Sequence, residues 1–361
     1  MKLSINWLLV FIPVTLVLEH AGGVSPPVIF FSAALAIIPI AALIVRATGQ
    51  LATYTGDAVG GLLNATFGNA PELIIALVAL KAGEMEMVRA SIIGAILANL
   101  LLALGIAFLI GGIRHKNQVY NKDASRTYST MMLLAALSLA VPSAFSRYFA
   151  PEETIRSEAL LNVWVAAALL GLYILYLFYS LKTHPGSFAS AGGQEGHGHH
   201  HEGERWSMPR ALASLVVASL LAAWMSEVLV GAADGTGKAL GMSSVFIGIV
   251  FLAVVGGAAE SGSAIAMGAK NKPDLSIGIA MGSSIQIALF IAPVLVFASY
   301  FIAPVPLELS FGRAEVGSLF IAVIVGAFVC SEGQSNWFKG VQLITVYLIF
   351  ALMFYFMPGV N

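Results

Sequence analysis

Glu72 closes the stretch Gly68-Asn69-Ala70-Pro71-Glu72, and Glu260 closes Gly256-Gly257-Ala258-Ala259-Glu260. Both lie in long apolar runs, the first continuing to Leu80 and the second spanning Val245 to Met267. An ionised side chain at membrane depth costs about 3 kcal/mol or more, so a glutamate kept there marks an ion or substrate path. Glycine breaks a helix at low steric cost and frees backbone carbonyls, and Pro71 has no N–H to return to the preceding turn. Carboxylates, carbonyls and amides are the donor set of a hard cation such as Ca²⁺, which takes about six to eight oxygens.

The donors can be named. Glu72 and Glu260 supply charge, and carbonyls around Gly68, Asn69, Gly256 and Gly257 supply neutral oxygens. Asn69 stands three residues before Glu72, on nearly the same helix face. Each glutamate is followed 22 residues later by a glycine in another small-residue apolar helix, Gly94 and Gly282. Those helices carry Asn99 in the first half and Ser283, Ser284 and Gln286 in the second. The competing reading of these neutral side chains is hydrogen-bonded glue between membrane helices. No Lys or Arg lies within either glutamate-bearing span to offer a salt bridge, which weakens the reading of the glutamates as structural ion pairs.

The surrounding elements must be membrane helices. Apolar residues make up 58% and charged residues 10% of 361, with a mean hydropathy of +0.88; a soluble domain carries about 25% charged residues. The net charge of −1 gives no footprint for nucleic acid. A single cysteine, Cys330, excludes an intrachain disulfide. Spans of about 20 apolar residues are expected near 5–20, 27–45, 57–80, 88–112, 128–145, 157–181, 209–230, 244–269, 274–302, 314–330 and 340–357. The first is read as a retained helix, because Lys2 is its only n-region charge and no clear cleavage site follows.

The expected fold is therefore an all-α polytopic membrane protein of about eleven spans. An N-terminal helix (1–20) precedes a first five-helix repeat (21–182), a polar loop (183–208) and a second five-helix repeat (209–361). An odd number of spans per repeat inverts the second relative to the first and places a binding site near the midplane where they meet. With the N-terminus in the cytoplasm, twelve Lys and Arg fall on the cytoplasmic side and six on the other. That bias places the loop in the cytoplasm and the C-terminus opposite. The short termini favour a prokaryotic plasma membrane. The loop holds His197, His199, His200 and His201 among Glu195, Glu202 and Glu204. Imidazoles so clustered can hold a regulatory Zn²⁺, Ni²⁺ or Cu²⁺; the plainer reading is a solvated linker.

The stretch Gly60-Gly61-Leu62-Leu63-Asn64-Ala65-Thr66-Phe67-Gly68-Asn69-Ala70-Pro71-Glu72-Leu73-Ile74 resembles the first signature of the cation/proton exchangers, within the calcium/cation antiporter superfamily. The segment from Gly256 through Lys270-Asn271-Lys272-Pro273-Asp274-Leu275 to Gly282-Ser283-Ser284-Ile285-Gln286-Ile287-Ala288-Leu289-Phe290 resembles the second. Gly333-Gln334-Ser335-Asn336-Trp337-Phe338-Lys339-Gly340 is similar to that family's last hairpin. The resemblance implies ten core helices plus one at the N-terminus. It implies exchange of Ca²⁺ for H⁺ with Glu72 and Glu260 as cation ligands, cargo rather than cofactors, and no enzymatic step. The chain departs from the pattern at Gly257, where an asparagine is usual, at Ser261, where a histidine is usual, and at Lys339, where an acidic residue is more frequent. The first departure removes an amide and the second a titratable neighbour of Glu260. The sodium branch typically shows Thr-Ser where this chain has Gly-Asn-Ala-Pro-Glu, so a Na⁺/Ca²⁺ exchanger ranks second. A cation channel or an intramembrane hydrolase ranks below both; no His-Glu-x-x-His motif lies in the spans.

Overall fold

A chain immersed in hydrocarbon must satisfy its backbone polar groups internally, and helices do this within one segment. The computed structural model describes residues 5–145, 155–184 and 205–357, and these are almost wholly helical. A short 3₁₀ turn leads into α1 (Phe11–His20), followed by α2 (Pro26–Phe67), α3 (Ala70–Lys81), α4 (Met85–Leu97) and α5 (Leu104–His115). Strand β1 (Asn117–Val119) precedes α6 (Lys122–Ala144) and α7 (Ile155–Phe178). The second half comprises α8 (Met208–Leu240), α9 (Ser244–Phe246), α10 (Ala253–Gly256), α11 (Ala258–Ala269), α12 (Pro273–Gln286) and α13 (Ala292–Ile302). It ends with α14 (Arg313–Val329), β2 (Gln334–Asn336) and α15 (Trp337–Phe356). Three π-helical segments join helices end to end: Ala98–Ala103 between α4 and α5, Ile247–Leu252 between α9 and α10, and Ile287–Ile291 between α12 and α13.

Among the described residues seven helical runs are long and apolar enough to cross a membrane: Pro26–Thr55, Met85–His115, Lys122–Ala144, Ser157–Thr183, Met208–Leu240, Pro273–Ile302 and Trp337–Phe356. Ser244–Gly256 and Ala258–Ala269 reach that length and apolarity only as a pair, bent by 61° at the break between them. The sequence expectation of eleven differs at three shorter helices. Ile5–His20 is a shorter apolar run, α3 has 12 residues and α14 has 17. It differs also at 27–45 and 57–80, expected as two helices: α2 runs unbroken for 42 residues, and the break falls later, at Gly68 and Asn69. Arg46, Thr48 and Gln50 read as loop residues in the sequence. In the fold Thr48 and Gln50 are buried, and the Gln50 side chain accepts from the Trp206 N–H at 2.9 Å, so the polar stretch packs as helix.

Helices α2 and α8 pack along one another. Pro26, at the start of α2, lies against Gly235 near the end of α8, where an added Cβ would sit 2.7 Å from the proline ring. Arg46, midway along α2, and Arg210, in the first turn of α8, share the Trp206 ring. The two helices are therefore antiparallel. Small residues set the closest approaches elsewhere. A Cβ at Gly248 would come within 2.8 Å of the Met87 carbonyl, and one at Gly94 would overlap the Ile249 backbone, so α4 crosses the Ile247–Leu252 segment backbone to backbone.

The polar ends are tied by side chains. Strands β1 and β2 pair antiparallel, Gln118 opposite Ser335, joining residues more than 200 positions apart. Lys339 donates to the Val329 and Gln334 carbonyls at 3.1 and 2.7 Å and to Glu332 at 2.8 Å, closing the α14–β2 turn. The same ammonium holds the exposed Glu332 carboxyl below its ordinary range. The extended segment after α13 buries Leu307, Leu309 and Phe311 without a helix to serve their backbone. Asn162 on α7 does so instead, donating to the Leu307 carbonyl at 2.8 Å and accepting from the Leu309 N–H at 2.9 Å. Ser143 accepts from the Phe311 N–H at 2.7 Å. Asn162→Ala strands two buried backbone groups, so a loss of about 2–4 kcal/mol is expected, read as a lowered midpoint in thermal unfolding of the purified protein. An unchanged midpoint would mean that water replaces the amide.

Candidate functional site

Both glutamates stand on the first turn of a helix that begins at a break. Asn69, with φ −95° and ψ 27°, separates α2 from α3, and Pro71 follows in the first turn of α3 beside Glu72. Gly257, with φ −76° and ψ 3°, separates α10 from α11, whose first turn carries Glu260. Proline is tolerated there because a first-turn N–H has no helical partner. The sequence reading placed Asn69 on one helix face with Glu72. In the fold Asn69 is instead the residue that caps α3, and its side chain makes no capping bond.

The two breaks meet. A Cβ built on Gly256 would lie 3.0 Å from Glu72 Cγ, and one on Gly257 would lie 3.5 Å from Glu72 Oε1 and 3.7 Å from Asn99 Oδ1. Gly256 and Gly257 of the second half thus face Glu72 and Asn99 of the first. Glu260 stands three residues beyond Gly257, so the two carboxylates flank the same break. A small cavity beside Glu72 is lined by Ser91, Ala95, Leu252, Ala253 and Ile287, which come from both halves.

The polar groups around this point divide into two kinds. Ser283 donates its hydroxyl to Glu260 Oε2, and the Ser284 hydroxyl is spent on the Ala280 carbonyl at 2.8 Å. By contrast, both oxygens of Glu72, both polar atoms of the Asn69 amide, Asn99 Nδ2 and Gln286 Nε2 are buried and have no hydrogen-bond partner among the described residues. A buried polar atom left so costs about 1–3 kcal/mol, more if charged, and native proteins seldom keep several together. Such a group can serve a ligand that arrives from outside the protein. Its donor types, carboxylate and carboxamide with backbone carbonyls at Gly68 and Gly256, suit a hard cation.

Sequence reasoning named Glu72, Glu260, Asn69, Asn99, Gly256, Gly257 and Ser283, and the fold brings them to this region. Gly68 is buried at the break, and Gln286 ends α12 immediately before a π-helical segment. The π segments were not legible. Asn99 lies within one of them, and such insertions recur at functional sites. Equally invisible was Gln118, buried on β1. Its amide donates to the Gly268 carbonyl at 2.9 Å and to Asn271 Oδ1 at 3.0 Å, and fixes the far end of the Glu260 helix. His197, His199, His200 and His201 lie outside the described residues.

The model of the sodium/calcium exchanger protein family matches residues 25–182 and 210–356. A Ca(2+)/H(+) antiporter of Aphanothece halophytica is 38% identical over 366 residues, covering 98% of this chain and 96% of that protein. The solved structure of native YfkE superposes with a TM-score of 0.83 at 32% identity, covering 98% of this chain and 100% of that one. The sodium-calcium exchanger NCX_Mj shares the fold at a TM-score of 0.55 and 18% identity, covering 90% of this chain and 97% of that one.

Proposed function

The chain belongs to the sodium/calcium exchanger protein family, and from that membership we propose that it is a secondary transporter exchanging Ca²⁺ for H⁺, with Glu72 and Glu260 holding either load. The observation that carries this reading is the Glu72 carboxylate, buried with neither oxygen bonded to another residue among the described residues and facing the break that precedes Glu260. The relative of Aphanothece halophytica, named a Ca(2+)/H(+) antiporter, supports the proton as counter-ion.

Two carboxylates with one Ca²⁺ make a neutral site, and so do two carboxylates with two protons. The empty, ionised site holds two negative charges in a low dielectric, which is costly. The protein changes access most readily when loaded with one ligand or the other, and exchange becomes obligatory. Neutral oxygens drawn from among those of Gly68, Asn69, Gly256, Gly257, Asn99, Ser283 and Gln286 bring the cation's shell to about six to eight. Ser284 stays with its own helix. The repeats (21–182 and 209–361) are inverted about this site, a reading supported by antiparallel α2 and α8. The chain then crosses the membrane eleven times, with α3 and α14 as short spans. The excess of Lys and Arg supports a cytoplasmic N-terminus.

Proteoliposomes test the function. Ca²⁺ uptake driven by an outward proton gradient, with an outward Na⁺ gradient as control, is expected with the proton gradient alone. Uptake with the sodium gradient alone would move the protein to Na⁺/Ca²⁺ exchange, and uptake with neither would make the site a channel. Ser283→Ala tests the shell. A hydrogen bond to a charged group contributes about 1.5–3 kcal/mol, so half-saturating Ca²⁺ should rise at least about tenfold at constant maximal rate. An unchanged half-saturation would remove Ser283 from the site.

A further inference from the structure

A second cluster lies at the far end of the α2–α8 pair from Pro26 and Gly235, away from the glutamates. Trp206 is buried against Ala47 and Ala211, with Leu43, Leu51 and Leu215 around it. Its backbone N–H donates to Gln50 Oε1 at 2.9 Å, and its backbone carbonyl accepts from the Tyr54 hydroxyl. On this fixed platform sit three guanidiniums. Arg46 and Arg210 each lie 4.9 Å from the centre of the Trp206 ring, and Arg205 lies 5.5 Å from that of Tyr54. All three arginines are exposed. None forms an ion pair with a carboxylate among the described residues.

Arg46 and Arg210 share one ring, so their guanidiniums lie within about 10 Å, a Debye length at ordinary salt, and repel unless an anion joins them. The height of the cluster says which anion. Arg46 follows the apolar first half of α2, and Arg210 precedes the apolar body of α8. Because the two helices are antiparallel, both arginines reach the same edge of the hydrocarbon, where tryptophan is also enriched. That layer is filled with lipid phosphates. A guanidinium fork matches phosphate oxygens in pairs, and cation–π stacking holds two of the forks in place before the anion arrives.

We propose that Arg46, Arg205 and Arg210, mounted on Trp206 and Tyr54, form a binding site for the phosphate of an anionic phospholipid headgroup that bridges α2 and α8. The site is independent of the transported ions and of which leaflet it faces. Lipid occupancy ties the start of α8 to α2, the helix that leads into the Glu72 break.

Native mass spectrometry of the full chain in detergent, with phosphatidylglycerol and phosphatidylcholine added at equal concentration, tests this. Wild-type protein should retain phosphatidylglycerol in preference. The triple variant R46Q/R205Q/R210Q should lose that preference by about a hundredfold, since each interfacial base contributes separately. A variant of three other exposed bases, K81Q/K116Q/K122Q, should keep it. Equal retention of both lipids by wild type, or an unaltered preference in the triple variant, would overturn the proposal. Complete displacement of phosphatidylglycerol by millimolar inorganic phosphate would also overturn it, because the site would then serve the free anion. Should the triple variant not fold, R205Q alone, which leaves both Trp206 stacks in place, should lower the preference several-fold, and no change in it would count against the site.

Discussion

Glu72→Gln and Glu260→Gln each abolish exchange: Ca²⁺-dependent proton flux in proteoliposomes is expected to fall by at least about 100-fold in either variant. Glutamine keeps the size of the side chain and an oxygen donor, so packing at the breaks is preserved. It cannot carry charge or take up a proton. With one carboxylate left, a bound Ca²⁺ gives the site a net positive charge, and an uncompensated charge at this depth costs about 3 kcal/mol, the equivalent of about 100-fold in occupancy. The proton-loaded site stays neutral, so only one limb of the cycle survives. Protein that is folded by gel filtration but inactive is the expected phenotype. Retained Ca²⁺-dependent proton flux in either variant would remove that residue from the exchange site.

Gly94→Val should be nearly as severe, for a different reason. A Cβ at Gly94 would overlap the backbone of Ile249, and backbone cannot yield by changing rotamer. Overpacking of a well-formed core costs about 1–3 kcal/mol when side chains adjust, and a clash with main chain lies at or beyond the upper end. The crossing is next to the site, since Ala95 on one side and Leu252 on the other line the cavity beside Glu72. Forcing α4 away from the π-helical segment should therefore lower the unfolding midpoint and also reduce the turnover of the folded fraction. Gly282→Val is the matched control, because nothing lies within 4 Å of the corresponding Cβ and the change should be mild. Equal effects at the two glycines would mean that helix propensity, not contact, decides the outcome.

The site was legible where chemistry and punctuation coincide. Glu72 and Glu260 stand out because ionisable residues are costly in apolar helices. Glycine and Pro71 beside them announced the breaks that the fold has at Asn69 and Gly257. Three kinds of feature were hidden. Helix α2 continues through Arg46 and Gln50 because Trp206, more than 150 residues away, supplies their partners; no local pattern announces that. The π-helical segments are single-turn insertions inside sequence that is apolar but for Asn99, too little polar pattern to reveal a change of period. The pairing of β1 with β2 and the service of Leu307 and Leu309 by Asn162 are long-range bonds made by residues that read as loop or helix glue. The membrane class follows from composition alone, whereas the number of spans depends on helices as short as the 12 residues of α3.

The central claim is that Ca²⁺ and protons compete for one pair of carboxylates, and counting protons tests it most directly. Ca²⁺ added to purified, weakly buffered protein in detergent at neutral pH should release protons in proportion to the Ca²⁺ bound. The E72Q/E260Q variant should bind no Ca²⁺ at the site and release none. Ca²⁺ binding by wild type without proton release, or the same release from the double variant, would contradict it: the two ions would not share Glu72 and Glu260.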